Sequence, residues 1–295
     1  MSPASLLLAA VLAQEPPVFR ADVEAVYVDV YVSRRGAAVA GLSDRDFVVK
    51  DNGVPQAARV VEREEAPLTA VLVLDCSSSV AGAKLEFLRA AAGSFVRGLH
   101  PRDEAALVAF QSRVELLHPA TTDRRVLLAA IARMTAGGST SLIDALFVGL
   151  KRRWGNGRPV LVLFSDGRDT SSWLQNEDLV RAARECSTTV YVVRTREETA
   201  GPVESGQDYL LRRVVETTGG SSWRPGSGPE IEAAFRQVLD TVNARYVLAY
   251  EPSGVDRPGR HRIELKVRQG GVEVRARREY FVHRDASPRS APATR

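Results

Sequence analysis

Cysteine is scarce: Cys76 and Cys186 are the only two in 295 residues. Two are too few for a disulfide framework, and their spacing is not that of metal ligands, so both are expected as small buried residues. Histidine is scarce too. His100, His118, His261 and His283 read as helix-end or flanking residues with surface or core roles. Apart from a short N-terminal run, nothing approaches the roughly eighteen consecutive apolar residues that a membrane span requires. Neither a Gly-x-x-x-x-Gly-Lys loop nor a Gly-x-Gly-x-x-Gly fingerprint is present, which removes the usual nucleotide sites. A Gly-x-Ser-x-Gly elbow with a histidine base is missing as well, so a serine hydrolase using Ser77 or Ser79 is the weaker functional class and the chain is read as a binding protein rather than an enzyme.

Charge of one sign is also lacking. Forty basic and thirty-six acidic residues leave a net charge of +4, and the two signs are interspersed. The basic runs Lys151-Arg152-Arg153 and Arg275, Arg277, Arg278 have no aromatic platform between them, so nucleic acid is not the expected partner. Arg275 and Arg277 alternate with Val274 and Ala276 and read as the wet face of a strand. With 44% apolar and 26% charged residues, the chain has the composition of a folded globular protein.

Met1 to Ala13 contains the apolar run Leu6–Leu12 and a small-residue site near Ala13. It resembles a signal peptide without a basic residue in front, and implies export to the periplasm or the extracellular space; the alternative is a ragged N-terminus. Residues 285–295, rich in Ser, Pro, Ala and Arg, read as a disordered tail.

Between these ends the rhythm changes twice. Residues 18–65 are mainly β: Val26, Val28, Val30 and Val32 alternate with polar positions, and Phe47 to Lys50 pairs with Ala57 to Val61 across an Asp51-Asn52-Gly53 turn. From 68 to 244 apolar strands, Ala70–Leu74, Ala105–Phe110, Pro159–Phe164 and Thr189–Val193, alternate with amphipathic helices. Continuous apolar strands between helices predict an α/β domain with a doubly wound, mostly parallel sheet. Residues 245–284 return to β. Each flank has only about forty residues, too few for a core of its own, so the two are expected to share a small β-sandwich into which the α/β domain is inserted.

Ligands of such sheets bind beyond the carboxyl ends of the strands. Three polar clusters fall there: Asp75-Cys76-Ser77-Ser78-Ser79 after one strand, Ser165-Asp166-Gly167 after another, and Gly137-Gly138-Ser139-Thr140-Ser141 before a helix. A hard cation such as Mg²⁺ takes octahedral oxygen ligands, with one or two carboxylates and hydroxyls or water for the rest. Spacing of two puts Asp75, Ser77 and Ser79 on one side of a tightening loop. Asp75 and Asp166 facing each other without a cation would repel. The bland alternative makes Asp75 a helix cap, Ser77 and Ser79 turn formers, and Ser165-Asp166-Gly167 an ordinary turn. Asp169, Thr170 and Ser171 extend the rim, most simply as solvated loop.

The Asp-x-Ser-x-Ser, Gly-Gly-x-Thr and Ser-Asp-Gly pieces, in this order at these strand ends, resemble the metal-ion-dependent adhesion site of von Willebrand factor A-type domains. The resemblance covers about Leu68 to Ala244. It implies that Ser77, Ser79 and Thr140 bind Mg²⁺ or Mn²⁺ directly or through water. Asp75 and Asp166 would mainly orient coordinated waters, and a partner protein's Asp or Glu carboxylate would complete the shell. Ser139 stands next to Thr140; Thr140 is chosen because Ala145-Leu146 then follows at the family's offset. The flanks resemble the VWFA-related proteins of acidobacteria through Gly41-Leu42-Ser43, Asp46-Phe47, Asp51-Asn52-Gly53 and Tyr246-Val247-Leu248-Ala249-Tyr250. A scaffold whose metal site is vestigial and whose flanks do the binding is the competing function. All five site residues are expected on loops outside the core.

Overall fold

The computed structural model describes residues 25–62, 66–155, 157–165, 169–195, 206–226, 228–255 and 258–282. The Met1–Ala13 leader and its cleavage, the 285–295 tail, His283 and Asp166 lie outside the described residues.

In chain order the elements are β1 (Val26–Arg34), β2 (Ala37–Ala38), β3 (Phe47–Asp51), β4 (Val54–Gln56), β5 (Arg59–Val61), β6 (Leu68–Asp75), α1 (Ala83–Gly98), β7 (Glu104–Phe110), β8 (Val114–Thr121), α2 (Arg124–Ala132), α3 (Leu142–Lys151) and β9 (Arg158–Ser165). They continue with α4 (Asn176–Glu185), β10 (Thr189–Arg194), α5 (Gly206–Thr218), β11 (Ser221–Trp223), α6 (Gly228–Asn243), β12 (Tyr246–Tyr250), β13 (Gly259–Val267), β14 (Glu273–Arg275) and β15 (Glu279–Val282).

The central sheet runs β11-β10-β9-β6-β7-β8. Its first five strands are parallel and β8 is antiparallel. β6 sits inside it and is buried along its whole length. Leu68, Ala70, Leu72 and Leu74 face one apolar cluster with α1, α2 and α6, while Val71 and Val73 face a second with α3, α4 and α5. Helices on both faces explain why β6 and β9 read as continuous apolar runs rather than alternating ones. The chain is an α/β protein. Its two cysteines are both buried and free, Cys76 in the first cluster and Cys186 in the second, on opposite sides of the sheet.

Strands from the two flanks interleave. β1 pairs with β12 and β14, β5 pairs with β12, and β13 pairs with β3 and β15. Val28, Val30 and Val32 of β1 share an apolar cluster with Phe47 and Val49 of β3, Leu248 and Tyr250 of β12, Ile263 of β13 and Tyr280 of β15. One departure concerns the first hairpin. Asn52 and Gly53 turn with positive φ as the sequence implies, but β3 pairs with β4, and Arg59–Val61 leaves to pair with β12 in the other sheet. Pro55 lacks an N–H and β4 is three residues long, so the hairpin is short and the chain crosses over.

Arginines join the flanks to the central sheet. Arg158 of β9 pairs with Asp29 of β1, both nearly buried. Arg245 lies over the Tyr191 ring and donates to the carbonyls of Asp29 and Gly219. Arg277, expected on a wet strand face, is 7% exposed and donates to the Cys186 carbonyl. The strand breaks between β14 and β15, so the alternation that put Arg277 outward ends before it. No described helix is long and apolar enough to cross a membrane.

Candidate functional site

β6 ends at Asp75, and the chain tightens at once into a 3-10 turn, Ser78–Val80. Asp75 is fully buried, Ser77 is 1% exposed and Thr140 5%, whereas Ser79 is exposed. The expectation that the site lies on loops outside the core is therefore corrected for Asp75, Ser77 and Thr140. The strand end delivers Asp75 below the surface, and the loops fold back over it.

Both carboxylate oxygens of Asp75 are engaged. The Ser77 N–H donates to Oδ1 at 2.9 Å and the Ser165 hydroxyl donates to Oδ2 at 2.6 Å. These bonds orient the Ser77 backbone and tie the end of β6 to the end of β9. The negative charge is also felt next door: burial first, and then Asp75, push the Cys76 thiol up to about 12. Asp75 caps no helix, because the N-cap of α1 is Gly82.

The hydroxyls of Ser77 and Ser79 lie 2.9 Å apart. Neighbouring ligands of an octahedral Mg²⁺, each at about 2.1 Å, are about 3.0 Å from one another. The serine pair thus has the spacing of one edge of such a shell, and neutral hydroxyls over a single buried carboxylate suit a hard cation. Among the described residues no group of three or more His, Cys, Asp or Glu could hold a metal, and Asp166 stands outside them.

Thr140 arrives from the loop before α3. The Ser78 N–H donates to the Gly138 carbonyl at 3.1 Å and the Gly137 N–H to the Cys76 carbonyl at 2.8 Å, which stitches this loop to the one after β6. Gly138 has φ +74°, and a Cβ there would stand 2.5 Å from the Ser112 hydroxyl, so glycine is required on both counts. Ser141 closes the far side, its N–H and hydroxyl both donating to the Gln111 carbonyl, at 2.8 and 2.7 Å. The neighbouring Ser139 hydroxyl bonds to Ser112 and Ser171, each at 3.0 Å. The Thr140 hydroxyl has no hydrogen bond to a described residue, which favours Thr140 over Ser139 as the group left for a ligand.

The structure thus brings Asp75, Ser77, Ser79 and Thr140 to one end of the sheet, while Asp166 lies outside the described residues. Several positioning groups escaped the sequence reading. Ser165 anchors Asp75. Thr170, expected as solvated loop, accepts the Thr140 N–H at 2.9 Å, and the Thr140 carbonyl accepts from the N–H groups of Thr170 and Ser171 at 2.8 and 3.1 Å. Asp169 is committed elsewhere: it accepts from the Ser172 hydroxyl and, at 3.2 Å, from the Ile143 N–H at the start of α3. The described histidines bond away from the serines, His118 to the Pro119 carbonyl, His100 to the Arg102 N–H and His261 to Asp51.

Comparison with known proteins bears on the fold that carries this site. Residues 70–168 match the sequence model of the von Willebrand factor type A domain, a span that includes Asp75, the serines, Thr140 and Asp166. No curated protein matches the chain. Among solved structures, a von Willebrand factor type A protein from Catenulispora acidiphila superposes with a TM-score of 0.53 at 14% identity, over 89% of this chain and 75% of that one. Proximal thread matrix protein 1 from the mussel byssus gives 0.52 at 14% identity, over 65% and 49%. A D319A mutant of the PilB minor pilin from Streptococcus sanguinis gives 0.50 at 10% identity, over 61% and 62%. Identities this low bear on the fold alone. Sequence match, fold and the order of the strand-end motifs agree on a von Willebrand factor type A domain over residues 70–168 of the chain.

Proposed function

We propose that the loops beyond β6 and β9 form a divalent-metal-dependent protein-binding site that takes a carboxylate from a partner protein. The observation that carries this reading is the Ser77–Ser79 hydroxyl pair, 2.9 Å apart, set beside a buried Asp75 whose oxygens are both held by the chain. Ser77, Ser79 and Thr140 would hold Mg²⁺ or Mn²⁺, with Asp75 and Asp166 behind them. When bound, that ion supplies positive charge and an open coordination position for an Asp or Glu side chain. The chain's own part is positioning. Asp75 fixes the Ser77 main chain, Ser165 fixes Asp75, and Thr170 fixes Thr140. The groups facing the ion are neutral hydroxyls, and the ion would offset the charge of Asp75 and Asp166, so an incoming anion would not be repelled.

On this reading the protein is an exported binding module, its α/β domain inserted in one β-sandwich made by the two flanks. The leader-like run Leu6–Leu12 and the β1–β12 and β13–β3 pairings support those parts.

The test uses Mn²⁺ on the full chain and reads water-proton relaxation. Adding an acidic peptide should displace coordinated water and lower the enhancement, while the same peptide with Asp replaced by Asn should not. Equal behaviour of the two peptides would remove carboxylate capture from the account.

A further inference from the structure

Among the described residues Trp173 is the most exposed large apolar side chain, with 90% of its surface free. Its loop is nevertheless tightly anchored. The Trp173 N–H donates to both oxygens of Asp144, at 3.2 and 3.1 Å, and the Leu174 N–H donates to one of them at 3.0 Å. The Ser172 hydroxyl accepts from the N–H groups of Ile143 and Asp144 at 3.1 and 3.2 Å. The start of α3 thus holds the main chain on both sides of the indole. An aromatic presented on fixed main chain loses little conformational entropy when a partner covers it, the property of a binding hot spot.

Trp173 is also close to the candidate site. The Ser171 N–H lies 3.1 Å from the Thr140 carbonyl, and two further residues span at most about 7 Å. The Trp173 main chain is therefore within about 10 Å of Thr140, the length of about three extended residues. The charges around this rim suit an acidic segment. Lys84, exposed, donates to the Ser79 carbonyl at 3.2 Å, and Arg113 is exposed on the turn between β7 and β8. Asp144 and Asp169 are taken up by main-chain N–H groups, and the acids set against these cations are Glu115, exposed on β8, and Glu177, exposed in the first turn of α4.

We infer that Trp173 is the second contact point of the partner surface. The partner segment carries a bulky apolar or aromatic side chain about one to three residues from the captured Asp or Glu, and that side chain packs on the indole. This rests on the carboxylate-capture reading above, and it adds a specificity element that the metal site alone lacks.

The experiment is a selection from a random linear peptide display library on the full-length protein in Mg²⁺, with elution by chelator, run in parallel on wild type and Trp173→Ala. Exposure of Trp173 means the variant folds, which its melting curve verifies. Wild type should enrich peptides with an Asp or Glu and a large apolar residue at the stated spacing. Trp173→Ala should enrich the acid without the apolar companion, and it should bind a wild-type-selected peptide about thirty-fold more weakly or worse, the scale expected of one truncated hot spot. The same companion preference on both proteins, or none on wild type, overturns the role of Trp173 while leaving carboxylate capture intact. Enrichment of apolar residues that depends on Trp173 but needs no acid would instead overturn the carboxylate and keep the indole as an anchor.

Discussion

Replacing Asp75 tests how deeply the candidate site is built into the fold. The carboxylate is fully buried and accepts from the Ser77 N–H at 2.9 Å and the Ser165 hydroxyl at 2.6 Å. Asp75→Ala leaves both donors in a buried setting, since Ser77 is 1% exposed and Ser165 0%. The Ser77 N–H left without the carboxylate costs about 1–3 kcal/mol and loss of the Ser165 bond about 0.5–1.5 kcal/mol, so the variant should lose about 2–4 kcal/mol. At about 2–4 °C per kcal/mol for a domain of this size, melting should fall by about 4–16 °C. Asp75→Asn keeps an oxygen for the Ser77 N–H and offers an amide N–H to the Ser165 oxygen, so it should retain most of that stability, within about 2 kcal/mol. The assay is thermal and urea unfolding of the three proteins in chelator, which separates the folding role from any metal effect. An Asp75→Ala protein that melts with wild type, or an Asn variant as unstable as the Ala variant, would refute this account of the buried carboxylate. It follows that Asp75→Ala is a poor probe of binding, and that the serines and Thr140 are the better ones.

Removing one member of the Arg158–Asp29 pair should be severe, because both side chains are nearly buried, and burial first, with Arg245 beside it, lowers Arg158 to about 10. Asp29→Ala is expected to cost about 3–5 kcal/mol in urea unfolding, and adding Arg158→Met should recover much of it. The thiols should be silent in the native protein. Burial pushes Cys76 up to about 12 and raises Cys186 as well, so neither should react with a thiol reagent at pH 8 until the chain is unfolded. The sign of the linkage is fixed by the same shift. Unfolding releases the thiol proton above the ordinary thiol range near about 8.5, so this contribution to stability is intact below that pH and declines as pH rises towards the folded value.

Much of this architecture is legible in the sequence because the physics is local. Continuous apolar runs at Ala70–Leu74 and Pro159–Phe164 mark strands covered on both faces, and Asp123 caps α2 through the Arg125 N–H as its position implies. The spacing of Asp75, Ser77 and Ser79 and the glycines before Thr140 point to one end of the sheet, and the structure brings these four side chains there. What is illegible is long-range. β8 has no fully buried residue and contains Pro119, so its pattern is weak. Ser165 and Thr170 act through bonds to residues 90 and 30 positions away, which no spacing rule reveals. His261 takes the core one of its two expected roles, but its partners are not legible: at 1% exposure it bonds to Asp51, and the Tyr280 and Tyr250 hydroxyls bond to the same carboxylate. These four residues are far apart in sequence and meet only because β3, β12, β13 and β15 converge.

The central claim, that Ser77, Ser79 and Thr140 hold a divalent ion with Asp75 and Asp166 behind them, is tested most directly by calorimetric titration of Mg²⁺ and Mn²⁺ into the chelator-stripped full chain. Wild type, the Ser77→Ala/Ser79→Ala double variant, Thr140→Ala and Asp166→Ala are compared, each shown to be folded by its melting curve. Wild type should bind one ion and gain about 2.7 kcal/mol of stability at a hundred times its dissociation constant, and the double variant should show neither the heat nor the gain. Equal heats and equal affinities in wild type and variants would contradict it.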